Sequence, residues 1–254
     1  HGMEDYLLVL DHNAKASVGE RLEILAPVDN GGKFTAAVPE FVGQHVFKAN
    51  PKIVERLKEN GLLLGHGSLN HSYPHCWRCK QPVIFRATEQ WFVSMETNEL
   101  RKEALAEIER VRWIPAYGRD RINGMIENRP DWCLSRQRVW GTPIPGFTCV
   151  ECGKVLAHPR VIDHVADLIG QHGTDYWFAN QAAALLPAGT QCEGCGGTEF
   201  EKERDILDVW FDSGVTHGCV LEARPELQFP ADLYLEGSDQ HRGWFQSSLL
   251  SSVA

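Results

Sequence analysis

Apolar residues recur at helical spacing in the stretch that follows Asn98. The spacing predicts a helix that is capped by Asn98 and runs to about residue 112. The charged residues between the apolar ones would face water, so the predicted helix is amphipathic. Its apolar side is formed by Leu100, Leu105, Ile108 and Val111.

Residues that typically start or end helices give a second set of helix predictions. Asn50 and Pro51 are typical of a helix start and Gly61 of a helix end, so a short helix is predicted over residues 52–60. Apolar spacing and start signals together predict further helices over residues 119–127, 161–171 (after Pro159) and 239–253, and a weaker one from Thr174.

Extended segments are predicted where β-branched and aromatic residues lie between turn-forming residues. Residues 21–47 contain the turn signal Asp-Asn-Gly-Gly at 29–32 and indicate a small β-rich region. Residues 82–95 are predicted to be extended, and residues 131–147 to be a strand followed by a loop with Gly and Pro.

Two strand signals near the end of the chain, over residues 206–211 and 233–235, are each followed by small and polar residues. The second leads through Glu236-Gly237-Ser238-Asp239 into the helix predicted over 239–253. A strand, a turn with Gly and a helix N-terminus in this order are typical of the nucleotide sites of doubly wound α/β sheets. The pattern therefore predicts an α/β fold.

The composition is that of an ordinary globular protein, with 254 residues, 43% hydrophobic and 23% charged. The length fits one large domain or two modest ones. No apolar run approaches the ~20 residues of a membrane span, and the start lacks a signal-peptide pattern. We therefore expect a cytoplasmic protein without a membrane partner. Because the chain begins with His1, we expect it to be a piece of a longer protein.

Charge is unevenly distributed. Residues 149–254 carry six basic and sixteen acidic side chains, net −10, which does not favour a nucleic-acid surface there. Residues 110–138 are instead rich in arginine, which indicates either solvated helix faces or a contact strip for phosphate. The arginines concerned are Arg110, Arg112, Arg119, Arg121, Arg129, Arg136 and Arg138.

Six of the eight cysteines form three C-x-x-C pairs. Two such pairs can place four thiolates around Zn²⁺, and the Gly residues beside the last two pairs favour the tight turns that this requires. The pattern predicts a structural zinc site with Cys149, Cys152, Cys192 and Cys195 as ligands, and two unrelated reduced pairs are the alternative. Cys76 and Cys79 have no partner pair, which leaves half of an incomplete site, a vestige or a thioredoxin-like redox motif as the alternatives for them.

A co-linear set of segments then becomes recognisable, and it resembles the isoleucyl-tRNA synthetase family of the class I aminoacyl-tRNA synthetases. The segments are HGMEDY at 1–6, VDNGGKFTAAVPEFVGQHVFKANPKIVERL at 28–57, HSYPHCWRC at 71–79, RATEQWFVSM at 86–95, RPDWCLSRQRVWGTPIPG at 129–146, DVWFDSG at 208–214 and YLEGSDQHRGWFQSSL at 234–249.

The resemblance implies two partial domains. Residues 1–80 would be the C-terminal part of a β-rich editing domain. Residues 81–254 would be the second half of a Rossmann-type catalytic domain, with a zinc-binding insertion at about 147–205. The two nucleotide signatures of the class and the anticodon-binding domain are expected outside these residues, so the chain by itself is expected to be inactive.

The resemblance also implies a synthetic site. In the family, the residue that matches Glu236 contacts the aminoacyl-adenylate, and the neighbours that match Gly237, Asp239 and Gln240 hold its amino group and ribose. Trp210 and Trp244 match positions that line the isoleucine side-chain pocket, where rigid aromatic walls suit a branched aliphatic substrate. Plain core packing is the alternative for Trp210.

Editing is implied because an apolar pocket only weakly rejects a side chain that is smaller by one methylene. In the family, an Asp that matches Asp5 binds the α-amino group of the misacylated residue, a charge-assisted contact that suits a carboxylate. For the metal sites, the resemblance implies zinc at the last two cysteine pairs. Cys76 and Cys79 match half of another family zinc site, whose first pair would precede residue 1.

The implied substrates and partners are isoleucine, ATP with Mg²⁺ and tRNA, and the intact protein is expected to be monomeric. The alternatives are a zinc-containing nucleic-acid-binding module without catalysis and a valine-specific relative.

Overall fold

A computed structural model describes residues 3–254 of the chain. These residues form two compact units, one that ends at Glu89 and one that begins at Gln90. The predicted domain boundary after residue 80 lies a few residues before this division. Among the described residues, no helix has the length and apolar character that crossing a membrane requires.

The first unit contains two helices, α1 (Met3–Lys15) and α2 (Val46–Glu59). Between them the chain is held by turns such as the one at Asp29, whose carboxylate accepts hydrogen bonds from the Lys33 and Gly31 N–H groups at 2.9 and 2.8 Å. The Lys33 bond, then the Gly31 bond and nearby cations, hold the pKa of Asp29 below its ordinary value. The sequence prediction of a turn here is confirmed.

The β-rich structure predicted over residues 21–47 is wrong for this part of the chain. Its extended segments meet only through isolated bridges, such as Val28 with Phe34 and Lys33 with His45. The reason is physical, because a short extended segment becomes a stable strand only within a larger sheet.

The start of α2 was also predicted wrongly. The helix begins at Val46 after His45, so Pro51 lies inside it instead of at its first position. Its end agrees with the prediction, since Asn60 caps it and Gly61 follows at φ 67°. A positive φ of this kind is cheap for Gly, which explains why the helix stops there.

The second unit contains seven α-helices and a π-helix, His217–Glu222, in its described residues. The helices predicted over 119–127 and 161–171 are confirmed with slightly wider bounds. The helix predicted to start at Asn98 begins instead at Leu100, because Asn98 and Glu99 both have positive φ in a short 3₁₀ turn. The helices are α3 (Leu100–Arg110), α4 (Tyr117–Glu127), α5 (Pro159–His172), α6 (Asp175–Ala179), α7 (Ala182–Leu185), α8 (Val209–Gly214) and α9 (Trp244–Val253).

Seven short strands of the second unit form three small sheets, in which all pairings are antiparallel. The pairs are β1 with β2, β3 with β7, and β4 with both β5 and β6. These named strands form no parallel sheet of the Rossmann type. The strands are β1 (Phe92–Val93), β2 (Trp132–Cys133), β3 (Ser135–Arg136), β4 (Phe147–Cys149), β5 (Val155–Leu156), β6 (Phe200–Lys202) and β7 (Ile206–Leu207).

Two strand predictions in this unit are wrong. The strand predicted over 206–211 ends at Leu207, because the Asp208 side chain accepts a hydrogen bond from the Trp210 N–H and starts α8. Residues 233–235 form no strand, and their apolar side chains Leu233 and Leu235 are exposed. The helix predicted over 239–253 is a 3₁₀ turn, Ser238–Arg242, followed by α9.

Two hydrophobic clusters form the core of the second unit. The first joins α3, α4 and α9 around Met95, Ile108, Ile126 and Leu250. The second lies in the region of residues 147–205 and surrounds the fully buried Trp177, whose ring contacts Phe147 at a centroid distance of 5.4 Å. The predicted insertion at 147–205 thus has a core of its own.

Helices α8 and α9 approach so closely that one glycine is required between them. A Cβ on Gly214 would lie 2.9 Å from the backbone carbon and oxygen of Ser247, and backbone atoms cannot rotate away. Helix α8 therefore packs directly on the backbone of α9.

We expect Gly214→Ala to destabilise the chain by roughly 1–3 kcal/mol, because the added methyl overpacks a backbone contact. The matched control is Gly170→Ala in α5, where a Cβ meets nothing within 4 Å. That change should stabilise the helix by about 0.5–1 kcal/mol. Urea unfolding of the two variants measures both values, and equal effects would contradict the contact.

Candidate functional site

The four cysteines of the last two C-x-x-C pairs meet in the second unit. The sulfur atoms of Cys149, Cys152, Cys192 and Cys195 all lie within 4.8 Å of one another. The Cys149–Cys195 and Cys152–Cys192 sulfur distances are 3.6 and 3.5 Å. A tetrahedral ion with sulfur at ~2.3 Å needs separations of about 3.8 Å. The cluster can therefore hold a metal ion.

Both cysteine pairs lie on the same kind of backbone loop. In the first, the Cys149 N–H donates to the Lys154 carbonyl and the Gly153 N–H donates to the Cys149 carbonyl, each at 2.9 Å. In the second, the Cys192 N–H donates to Gly197 and the Gly196 N–H donates back to Cys192, each at 2.8 Å. Gly153 and Gly196 have φ values of 72° and 77°. The predicted role of these glycines is confirmed.

The thiols of the cluster differ in pKa because of their hydrogen bonds. The Gly194 and Cys195 N–H groups lower the pKa of Cys192 to about 6. At Cys195, the Gly197 N–H acts to lower the pKa, but the contact with Cys152, burial and the other thiols outweigh it and raise the pKa to about 12. A bound cation would favour the thiolate form of the cysteines around it.

The remaining pair, Cys76 and Cys79, has the same backbone loop in the first unit. The Cys76 N–H donates to the Gln81 carbonyl and the Lys80 N–H donates to the Cys76 carbonyl, both at 2.8 Å, with Lys80 at φ 60°. The Cys79 and Arg78 N–H groups lower the pKa of Cys76. Among residues 3–254, however, this pair belongs to no group of three or more metal-binding side chains.

The predicted adenylate residues lie in the loop before α9. Gln240 connects the loop to the helix, because its Oε1 accepts the Trp244 N–H at 3.0 Å and its Nε2 donates to Asp239 at 3.1 Å. The Asp239 carboxylate lies over Gly237, where a Cβ would approach it to 2.5 Å. Glu236 is exposed. The carboxylate of Glu236 and the backbone of Gly237 are thus open to a ligand.

Trp210 and Trp244 each contact residues at the junction of α8 with the start of α9. Trp244 Nε1 donates to the Ser213 carbonyl at 2.9 Å, which joins the two helices. The Trp210 ring lies over Gly243, where a Cβ would be 2.9 Å from it and would also clash with the Gln240 side chain. Trp210 keeps 42% of its surface exposed, so it is not simply a core residue.

These residues line two different cavities. Glu236 and Gly237 line an apolar cavity of about 780 Å³ between α3, α4 and α9. Trp210 and Gly243 line a smaller, more polar cavity of about 220 Å³. The residues predicted from the resemblance are therefore neighbours along one loop and helix pair, without sharing one cavity.

A buried carboxylate beside Trp210 is a feature that the sequence reasoning missed. Asp208, only 4% exposed, accepts hydrogen bonds from Trp132 Nε1 at 3.1 Å and from Arg136 Nη2 at 2.7 Å. Arg129 lies over the Trp132 ring and donates to Gln246 at 2.7 Å. The available signal was the position of Asp208 directly before a helix start.

Asp5, Arg110 and Arg119 belong to neither cavity. Asp5 is exposed in the first turn of α1, in the first unit, while His1 and Gly2 of the same motif lie outside the described residues. Arg110 pairs with Glu107 at 2.6 Å, and Arg119 pairs with Glu109 and Asp120 at 3.2 Å. These pairs favour solvated helix faces for those arginines.

Comparison with known proteins gives one consistent result. Residues 11–254 match the family described as "tRNA synthetases class I (I, L, M and V)". The isoleucine–tRNA ligase of Geobacter sulfurreducens is 60% identical over 253 residues, that of Persephonella marina 57% over 266, and that of Moorella thermoacetica 51% over 254. All of this chain is covered in each case, but it spans only 26–27% of these relatives.

We expect the four-cysteine cluster to bind one Co²⁺ per chain, with the visible absorption of a tetrahedral thiolate site. Cys195→Ser should abolish this spectrum because it removes one ligand, whereas Cys219→Ser, an exposed cysteine outside the cluster, should preserve it. Co²⁺ titration followed by absorption spectroscopy measures both. An unchanged spectrum in the Cys195→Ser variant would contradict the assignment.

Proposed function

The chain belongs to the class I tRNA synthetases of the isoleucine, leucine, methionine and valine group, and on this premise we propose that it is part of an isoleucine–tRNA ligase. The intact protein would activate isoleucine with ATP and Mg²⁺ and transfer it to tRNA. The chain's identity to isoleucine–tRNA ligases along its whole length supports isoleucine as the substrate.

The structural observation that supports this proposal is the meeting of Trp210, Gln240 and Gly243 beside Trp244. Trp210 offers a rigid apolar wall, while the Gln240 amide lies with it at Gly243 and donates to Asp239. An aliphatic amino acid needs both, an apolar surface for its side chain and polar groups for its charged end.

The proposed chemistry is an in-line displacement. A carboxylate oxygen of isoleucine attacks the α-phosphorus of ATP, the bond between that phosphorus and the bridging oxygen breaks, and pyrophosphate leaves with the electron pair. A ribose hydroxyl at the tRNA 3′ end then attacks the carbonyl carbon, and AMP leaves. The residues of this chain would supply positioning and hydrogen bonding instead of a nucleophile.

In this proposal Glu236 contacts the adenylate, and Gly237, Asp239 and Gln240 hold the amino group and the ribose. The exposure of Glu236 and Gly237 supports a ligand contact at this loop, and a Cβ on Gly237 would clash with the Asp239 carboxylate. Trp210 and Trp244 would line the side-chain pocket. We propose that these residues belong to the second half of a Rossmann-type catalytic domain, over residues 81–254.

We also propose hydrolytic editing of valyl-tRNA, with residues 1–80 as the end of the editing domain. Asp5 would bind the α-amino group of the misacylated residue. Its exposure in the first turn of α1 supports this role, since a bound ammonium must reach the carboxylate from solution.

The metal that we propose at the four-cysteine cluster is Zn²⁺. Four sulfur donors in a closed set favour zinc and a structural role over a catalytic one, because no open position remains for substrate. Cys76 and Cys79 would form half of a second site. Elemental analysis of the purified chain should find about one zinc, and a value near zero after purification in zinc-containing buffer would contradict zinc binding.

The proposed location is the cytoplasm, supported by the arrangement of the cysteines as metal ligands, which reducing compartments favour. The intact protein would act as a monomer with tRNA, ATP and isoleucine as its partners. Because the chain spans about a quarter of its relatives, we propose that the 254 residues alone are inactive. Isoleucine-dependent exchange by these residues alone would overturn that statement.

The decisive experiment is isoleucine-dependent ATP–pyrophosphate exchange by the protein encoded by the complete gene. We expect Glu236→Gln to reduce exchange by at least about tenfold, because it removes a charged contact to the adenylate. The matched control Glu226→Gln changes an exposed residue of the loop before residue 236 and should leave exchange unchanged.

The other outcomes identify the alternatives. Exchange that prefers valine to isoleucine would show a valine-specific relative. Tight, salt-sensitive RNA binding without any amino-acid-dependent exchange would show a nucleic-acid-binding module.

A further inference from the structure

Asp208 is a buried carboxylate that holds three donors at once. Its Oδ1 accepts the Trp210 N–H at 3.2 Å, and its Oδ2 accepts Trp132 Nε1 and Arg136 Nη2. Its own backbone N–H donates to the Leu134 carbonyl at 2.7 Å. The carboxylate therefore joins β2, β3 and the first turn of α8.

Arg136 also connects β2, β3 and Asp208. Its Nη1 donates to the carbonyls of Cys133 and Ser135 at 2.8 and 2.9 Å, so its guanidinium closes over the link between β2 and β3. The ion pair with Asp208 is 2.7 Å long, and the carboxylate is almost fully withdrawn from water. A buried charge with this many donors is strongly held, because any displacement would leave a donor unpaired.

Trp210 is held at two points, its backbone and its ring. Its backbone is held by the Asp208 cap, and its ring is confined by Gly243 at the start of α9. A small rotation of the first turn of α8 would move the ring with it. We therefore expect the orientation of the Trp210 ring to depend on the Asp208 carboxylate.

We propose that Asp208 is a positioning residue, which sets amino-acid selectivity by holding Trp210 through its contacts to Trp132 and Arg136. This inference rests on the proposed function, since it takes Trp210 as a wall of the isoleucine pocket. The inference goes beyond the proposed function because it assigns selectivity to a buried polar network as well as to the pocket wall.

The main test is Asp208→Asn in the protein encoded by the complete gene. The amide retains one oxygen acceptor, but its NH₂ group must face at least one of the three N–H donors. We expect the KM for isoleucine to rise about tenfold and the discrimination between isoleucine and valine to fall about threefold, because misplacing a binding group weakens contacts that depend on fit. The KM for ATP should stay within about twofold.

A second variant covers the possibility that Asp208→Asn does not fold. Trp132→Phe removes the indole N–H that donates to Asp208 but keeps an aromatic ring in the core and beneath Arg129. We expect the same changes in the KM for isoleucine and in discrimination, reduced to about two- to threefold. The matched control is Asp167→Asn on the exposed side of α5, which should change none of these values.

The results of these experiments distinguish the positioning role of Asp208 from the proposed function. A wild-type protein without isoleucine-dependent exchange would contradict the proposed function. A folded Asp208→Asn variant, or a Trp132→Phe variant if the first is insoluble, with unchanged KM and discrimination would overturn the positioning role alone. Equal increases in the KM for isoleucine and ATP would also overturn it, because they would indicate general loss of structure.

Discussion

The backbone contact between Gly214 of α8 and Ser247 of α9 is the constraint on which the candidate site depends. It allows the two helices to approach without intervening side chains, so that Trp210 of α8 lies over Gly243 at the start of α9 and Trp244 of α9 donates to Ser213 of α8. Any side chain at position 214 would separate the helices and the tryptophans with them. The geometry of the candidate site therefore depends on the pairing of α8 with α9.

The region of residues 147–205 is organised instead by a hydrophobic cluster and a cysteine cluster. Its hydrophobic cluster around Trp177 holds β4 and β6 against α5 and α6, while two loops from β4 and from the segment before β6 place the cysteines. The Lys202 ammonium lies beneath α6 and donates to the Trp177 and Asn180 carbonyls. Packing supports this small fold, and a metal ion bound by the four cysteines would stabilise it further.

Local signals in the sequence predicted local structure well. Helices α4 and α5 and both cysteine loops follow from spacing, Pro159 and the positive-φ glycines, all of which act within a few residues. The strand prediction over 206–211 was wrong because the Asp208 side chain caps a helix at this point. The network of Trp132, Arg136 and Asp208 could not be predicted, because it joins residues that are more than 70 positions apart.

The two cavities are separated by the 3₁₀ turn Ser238–Arg242, and this arrangement bears on the proposed ligand. Gly237 and His241 face the larger cavity, whereas Arg242 and Gly243 face the smaller one beside Trp210. One turn therefore presents its backbone to two different environments. An aminoacyl-adenylate also has two dissimilar ends, joined by a short polar link. Gln240, held to α9 by the Trp244 N–H, lies in the turn where such a link would pass, so its rigidity would serve both ends.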